Sequence, residues 1–332
     1  MLPETYKKIV VAKTGIDPET CLRIQEIKLA QPKAYEILVK NRYAGVNATD
    51  IGRMMGINHY GKLPFDFGVE SLGEVVAIGE RVEEFKIGDS VVTALPGNGY
   101  REYTTIDRNF ALKVPALHPK YVGLFISGTI AKIALDFVAD IKPNETVMVT
   151  SALGASGHFA IQLAKSQGCH VVGTCATAKE AEILRQFDID RIIIRDDEDV
   201  EDVLENEYHD MLNVVFDTMG GQTLDACIDH SAPRARIIIA EALREHVNQE
   251  SDLHQIDFYH KVIRRSLSII GFNLSDYANA IPIESLKLLD QMERGTLRSL
   301  VDPTEFIGID SVIDGIKHLI SGEAQGKIVI KL

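Results

Sequence analysis

Residues 146–180, TVMVTSALGASGHFAIQLAKSQGCHVVGTCATAKE, decide the fold. They read as a strand, a tight turn, a helix and a second strand. Ala152, Gly154 and Gly157 occupy the three small-residue positions of G-x-G-x-x-G, with a strand before them and an amphipathic helix after. A turn without side chains lets a pyrophosphate lie against the helix N-terminus, where free amides and the helix dipole attract it. Gly154 would allow the backbone to approach the phosphates, and Gly157 would let helix and strand pack closely. Ala155 and Ser156 complete the turn. A plain packing turn uses similar residues; the strand–turn–helix context is what favours a nucleotide.

The second strand, CHVVGT (169–174), ends without an acid. A site for an unphosphorylated ribose usually places Asp or Glu there, to accept from the 2′-hydroxyl. Here the sequence runs Thr174-Cys175-Ala176-Thr177-Ala178-Lys179, and Glu180 is the first acid. With no carboxylate to repel a 2′-phosphate, and with hydroxyls and Lys179 available, the expected cofactor is NADPH. The alternative for Lys179, the weaker one, is a solvated lysine at a helix start.

Outward from this stretch the rhythm differs on the two sides. After about residue 120, candidate strands at 145–150, 169–174, 191–194, 213–216, 236–240 and 267–271 alternate with helical patterns at 156–167, 178–187 and 221–229. Short, nearly all-apolar strands separated by helices indicate a parallel sheet covered on both faces. Before about residue 115, KKIVVAK (7–13), EILVKNRYAGV (36–46), GEVVAIG (73–79) and DSVVTAL (89–95) carry β-branched residues and turn pairs, as in a small barrel. A helical pattern near 311–320 and the strand KIVIKL (327–332) read as a return to that first domain.

Composition narrows the partners. The chain has 332 residues, enough for two domains, and a net charge of −13, which argues against nucleic acid. Four scattered cysteines form neither a disulfide framework nor a zinc lobe. No uninterrupted apolar run approaches the ~18 residues of a membrane span, so no membrane is expected and a cytoplasmic location is the default. A zinc alcohol dehydrogenase needs Cys and His ligands around its catalytic metal. The corresponding segments read Gly45-Val46-Asn47-Ala48-Thr49-Asp50 and Gly68-Val69-Glu70, so no metal is expected.

These residues resemble the zinc-free quinone oxidoreductase and enoyl reductase branch of the medium-chain dehydrogenases/reductases, most of all its prostaglandin reductase 3 type. The similarity runs through GVNATD (45–50), PFDFGVESLGEVVAIG (64–79), GDSVV (88–92), SGTIA (127–131), VVFDTMGG (214–221), IIGFNL (269–274) and GKIVIKL (326–332). The resemblance implies an α/β protein in which a GroES-like catalytic domain (1–120 and 272–332) is split around a Rossmann domain (121–271). It also implies metal-free reduction of an enone or quinone: hydride adds to the β-carbon while charge develops on the carbonyl oxygen. An enolate is far less basic than an alkoxide and needs no metal.

In this reading Asn47 lies near nicotinamide and substrate, and Tyr60 would donate its phenol to the oxyanion; a turn-capping Asn and a partly buried aromatic remain the alternatives. Thr129, Arg195, Phe272, Asn273 and Lys327 fall in segments that line the cofactor groove, and a homodimer is implied. Departures from the pattern are Ile130, Lys132, Ala155, Arg195, Glu180 and Glu241, where the family prefers glycine at the last. Two other readings stay open: a fold relative acting as an interaction protein, and a biosynthetic enoyl-thioester reductase.

Overall fold

The computed structural model describes residues 2–57, 61–241 and 255–332. The chain divides into two compact units, Met1–Ile126 with Ser299–Leu332, and Ser127–Arg298.

The second unit is built on a six-stranded sheet. From edge to edge its strands are Arg191–Ile194, His170–Cys175, Thr146–Val149, Leu212–Asp217, Ser231–Ile239 and Ser268–Gly271. Every neighbouring pair is parallel. In order of sequence this is 3-2-1-4-5-6, the doubly wound order that reverses between Thr146–Val149 and Leu212–Asp217. The strands are apolar because they are buried: Val147, Met148, Val149, Val171, Val172, Val215, Phe216 and Ile237 have no exposed surface. Each such side chain contributes about 1.5–3 kcal/mol. Helices Gly157–Ser166, Ala178–Leu184, Val200–Glu207 and Gly221–Asp229 connect the strands. The expected strands agree with these to within about two residues, except that Ser231–Ile239 begins five residues earlier, across a register shift near its start.

The first unit is antiparallel apart from one edge pair. Thr5–Val11 pairs with Leu22–Lys28 and with Phe65–Asp66. A second sheet runs Phe306–Ile307, Val329–Lys331, Glu36–Gly45, Glu70–Ile78, Ser90–Ala94 and Ala111–Lys113. The long strand Glu36–Gly45 gives one edge to Glu70–Ile78 and divides the other. Its first half takes Tyr103–Asp107, and its last three residues take the C-terminal strand. Residues 329–331 thus pair with residues 43–45, 284–288 positions earlier in the chain.

Two differences from expectation concern helices. The segment 272–298, expected with the first domain, belongs to the second unit. Its helix Ile281–Glu293 packs on the turn Thr129–Ile133, and Lys132 Nζ lies 3.7 Å from Glu284 Oε2 and 2.6 Å from Asp136 Oδ2. Lys132, a departure from the family pattern, is therefore spent on an internal ion pair. The second difference is the helical run Pro119–Val138, long and apolar enough by length and composition to cross a membrane. Two-thirds of its apolar window is buried inside the protein, and a helix apolar all round is what a core position requires.

Candidate cofactor turn and a buried polar network

Strand Thr146–Val149 runs into Thr150, whose buried hydroxyl donates to Asp217 Oδ1 (2.7 Å) and accepts from the Thr218 amide (2.9 Å). Two strand ends are thereby tied together where the winding of the sheet reverses. The chain then turns back through Ser151, at φ +50°. Its amide donates to Thr174 Oγ1 (3.2 Å), and the Ala152 amide donates to Thr174 O (2.8 Å). Thr174 is fully buried and acts as the peg on which the turn hangs.

Gly157 opens the helix Gly157–Ser166. A Cβ on it would lie 2.3 Å from Ser151 O and 2.9 Å from Ala152 O, both backbone atoms that cannot yield without moving the turn. At Gly154 the same atom would lie 3.1 Å from Ser151 O, a tight but tolerable approach. The helix N-terminus, its dipole and a turn flanked only by Ala155 and Ser156 form a cradle suited to a pyrophosphate.

Beyond His170–Cys175, Thr177 caps the helix Ala178–Leu184 by accepting from the Glu180 amide (3.2 Å). The Glu180 carboxylate turns back to accept from the Ala176 amide (2.8 Å). The one early acid of this loop is therefore held in a reciprocal cap. Lys179 is exposed, and the Arg195 amide donates to Cys175 O (3.0 Å), which brings the end of the neighbouring strand alongside. The Cys175 thiol is buried and pushed up to about 11, chiefly by desolvation and then by Glu180, so it stays protonated. Thr177, Lys179 and Arg195 lie around this loop, with the exposed Asp196, whose amide donates to Ala176 O (3.0 Å), beside them.

The remaining predicted residues of this unit are placed as follows. Thr129 is buried and opens the turn Thr129–Ile133. Phe272 stacks on Tyr277 with centroids 5.6 Å apart, and Asn273 Oδ1 accepts from the Ser275 amide (3.1 Å), capping the next turn. Glu241 is half-buried just past strand Ser231–Ile239.

In the first unit, Asn47 and Lys327, 280 positions apart, come together. Lys327 Nζ donates to Asn47 Oδ1 (2.6 Å) and pairs with Glu70 Oε2 (2.7 Å). Glu70 Oε1 accepts from the Gly123 amide (2.9 Å). A Cβ on Gly45 would fall 2.5 Å from Glu70 Oε2 and 2.7 Å from Lys327 Cε, so this network dictates the glycine of the GVN motif. Beside it, Asp50 Oδ2 accepts from the Asn47 amide N–H (3.1 Å) and the Tyr100 hydroxyl (2.8 Å). Burial pushes Asp50 up to about 6 against these donors, and pushes the Tyr100 phenol well above its ordinary range. The ammonium at Asn47 Oδ1 fixes the amide's orientation, leaving Nδ2 as its donor end, 3.3 Å from Gly45 O and 3.5 Å from Glu70 Oε2.

Asn47 was expected near the reacting groups and Lys327 in the cofactor groove; their direct bond was not foreseen. In the sequence Glu70 stands out only as the residue where a zinc-binding histidine would be, and Tyr100 carries no signal. The GVE motif was the available signal. Tyr60 lies outside the described residues. The donor set does not fit zinc. Zinc wants thiolate, neutral imidazole or carboxylate, whereas here an ammonium bridges one carboxylate and one amide.

Comparison with known proteins agrees with this architecture. Residues 33–116 match the alcohol dehydrogenase GroES-like domain family, and residues 155–291 match a family described as zinc-binding dehydrogenase. Prostaglandin reductase-3 of Mus musculus is 31% identical over all of this chain and 90% of its own length. A probable quinone oxidoreductase of Leishmania amazonensis is 31% identical over 99% of both. The crystal structure of Escherichia coli quinone oxidoreductase complexed with NADPH superposes with a TM-score of 0.83 at 25% identity, over 98% of this chain and 100% of that one.

Proposed function

Because the chain belongs to the quinone oxidoreductase and enoyl reductase branch of the medium-chain dehydrogenase/reductase family, we propose that it reduces the activated double bond of an enone, or a quinone, with NADPH and without a metal. The observation that carries this reading is the turn Ser151–Gly157, which excludes a side chain at Gly157 and lies beside a strand end bearing Thr177, Lys179 and Arg195 in place of an acid.

Bound NADPH would supply a hydride to the β-carbon of the acceptor. The chain's own task is to bind and orient. The amides at the start of Gly157–Ser166 receive the pyrophosphate. Lys179 and Arg195 neutralise the 2′-phosphate, and Thr177 offers a hydroxyl. Asn47, held by Lys327 at its oxygen and by Gly45 O and Glu70 Oε2 at its Nδ2, keeps a fixed surface beside the nicotinamide, and Tyr60 supplies a phenol to the carbonyl oxygen on which charge develops. Solvent returns the proton to the α-carbon.

A thermal-shift titration tests the cofactor assignment. NADPH at about one hundred times its dissociation constant should stabilise the protein by about 2.7 kcal/mol, a shift of a few degrees. Gly157→Ala should abolish that shift. NADPH should then be oxidised on adding an enone or quinone, at a rate a chelator leaves unchanged. A normal shift in Gly157→Ala would remove the turn from the cofactor site, and loss of turnover with chelator would remove the metal-free mechanism.

A further inference from the structure

A cluster remote from the nucleotide turn has the makings of a metal site. Helix Val200–Glu207 places Glu201 and Glu205 on one face, and the turn that follows it brings His209 against Glu205. His230 stands at the C-terminal end of the neighbouring helix Gly221–Asp229. Potential ligand atoms of Glu205, His209 and His230 all lie within 4.8 Å of one another. Glu205 Oε2 is 2.7 Å from His209 Nδ1 and 3.5 Å from His230 Nδ1.

The second observation concerns His230 itself. Its ring is 3% exposed, its Nε2 is 2.9 Å from Glu201 Oε1, and its Nδ1 is buried with no hydrogen-bond partner. With Nε2 beside the Glu201 carboxylate, Nδ1 is the ring nitrogen placed to meet a metal, 3.5 Å from Glu205 Oε2. His209 is arranged in parallel, with Nε2 3.6 Å from Asp210 Oδ2 and Nδ1 toward the same Glu205 oxygen. Two imidazoles, each with a carboxylate behind it and its other nitrogen facing a shared carboxylate oxygen, form the pattern in which histidines hold a metal.

We propose that Glu205, His209 and His230 bind one zinc ion, with water completing a tetrahedral shell. Two nitrogens and one oxygen with an open position suit zinc, whose ~2.0–2.1 Å bonds put ligand atoms about 3.3–3.5 Å apart; Glu205 and His230 already have that spacing, and Glu205 and His209, 2.7 Å apart, would separate to reach it. Metal at His209 Nδ1 would leave its Nε2–H to face Asp210 Oδ2. The site lies before strands Leu212–Asp217 and Ser231–Ile239, whereas the nucleotide turn follows the end of its strand. It is therefore at the end of the parallel strands opposite to the cofactor turn, and would clamp two helices without touching the reaction.

The test uses the full chain, stripped with chelator and titrated with zinc by calorimetry, with bound metal counted by elemental analysis. The expected result is one zinc per chain, a rise in melting temperature on adding zinc, and loss of both in His209→Ala and in Glu205→Gln, whose altered side chains are exposed. Glu201→Gln, which touches no metal, should weaken affinity about tenfold by releasing His230 Nε2. Cobalt in place of zinc should give tetrahedral bands without thiolate charge transfer, which separates this site from the four buried cysteines. Absence of saturable binding, binding indifferent to both ligand variants, or a thiolate signature would overturn the proposal. NADPH oxidation by His209→Ala should match the parent, so failure here leaves the reductase reading untouched.

Discussion

At the scale of single residues, two side chains carry separable consequences. Lys179 is exposed, and if it meets a 2′-phosphate its loss must be felt by one cofactor only. Lys179→Ala should weaken NADPH about fivefold to tenfold, as for an exposed charge-assisted contact, and leave NADH unchanged. Equal loss for both cofactors would take Lys179 out of that role. Asp50 makes a different prediction. Its carboxyl is pushed up to about 6 in the folded chain from an ordinary 3.8, because desolvation outweighs the donors Tyr100 and Asn47. Between about pH 4 and 6 the native state then holds a proton that the unfolded state has released, so stability falls as pH rises through that window. The span corresponds to about 3 kcal/mol. Urea unfolding of Asp50→Asn should lack this decline; an unchanged pH profile would mean that Asp50 ionises normally.

At the scale of elements, what was legible in the sequence was whatever is local. The strand–turn–helix of 146–180 showed itself because its glycines, its apolar strand and its amphipathic helix all lie within 35 consecutive positions. Lys327 and Asn47 did not, since nothing local indicates that a lysine just before the last strand neutralises a glutamate at the head of Glu70–Ile78. Glu180 and Lys132 looked like departures from a pattern, and their partners, a helix cap and an ion pair to Ile281–Glu293, emerge only in three dimensions. The buried pair gives this scale its prediction. Lys327→Met leaves the Glu70 charge uncompensated and should cost about 3–5 kcal/mol, as should Glu70→Gln, whereas the double variant should cost much less than their sum. Simple additivity in chemical denaturation would show that the two are not coupled.

At the scale of the whole molecule, the edge strand Ser268–Gly271 and the helix before it leave apolar surface uncovered. Tyr259 and Ile263, one helical turn apart, are 75% and 76% exposed. We expect this face to pair with a second copy, and Tyr259→Glu combined with Ile263→Glu should lower the mass measured by sedimentation to that of one chain. An unaltered mass would place any dimer elsewhere.

The bond between Lys327 and Glu70 also bears on how the protein is made. A ribosome delivers Glu70 before the parallel-sheet unit and its counter-charge, Lys327, only after the whole of that unit has been synthesised. Until then the first unit would have to bury an unpaired carboxylate and leave the edge of Glu36–Gly45 open, so it cannot close. The interrupted unit is thus last to mature although first to be translated, and the inserted unit, contiguous in sequence, is free to fold while its host waits.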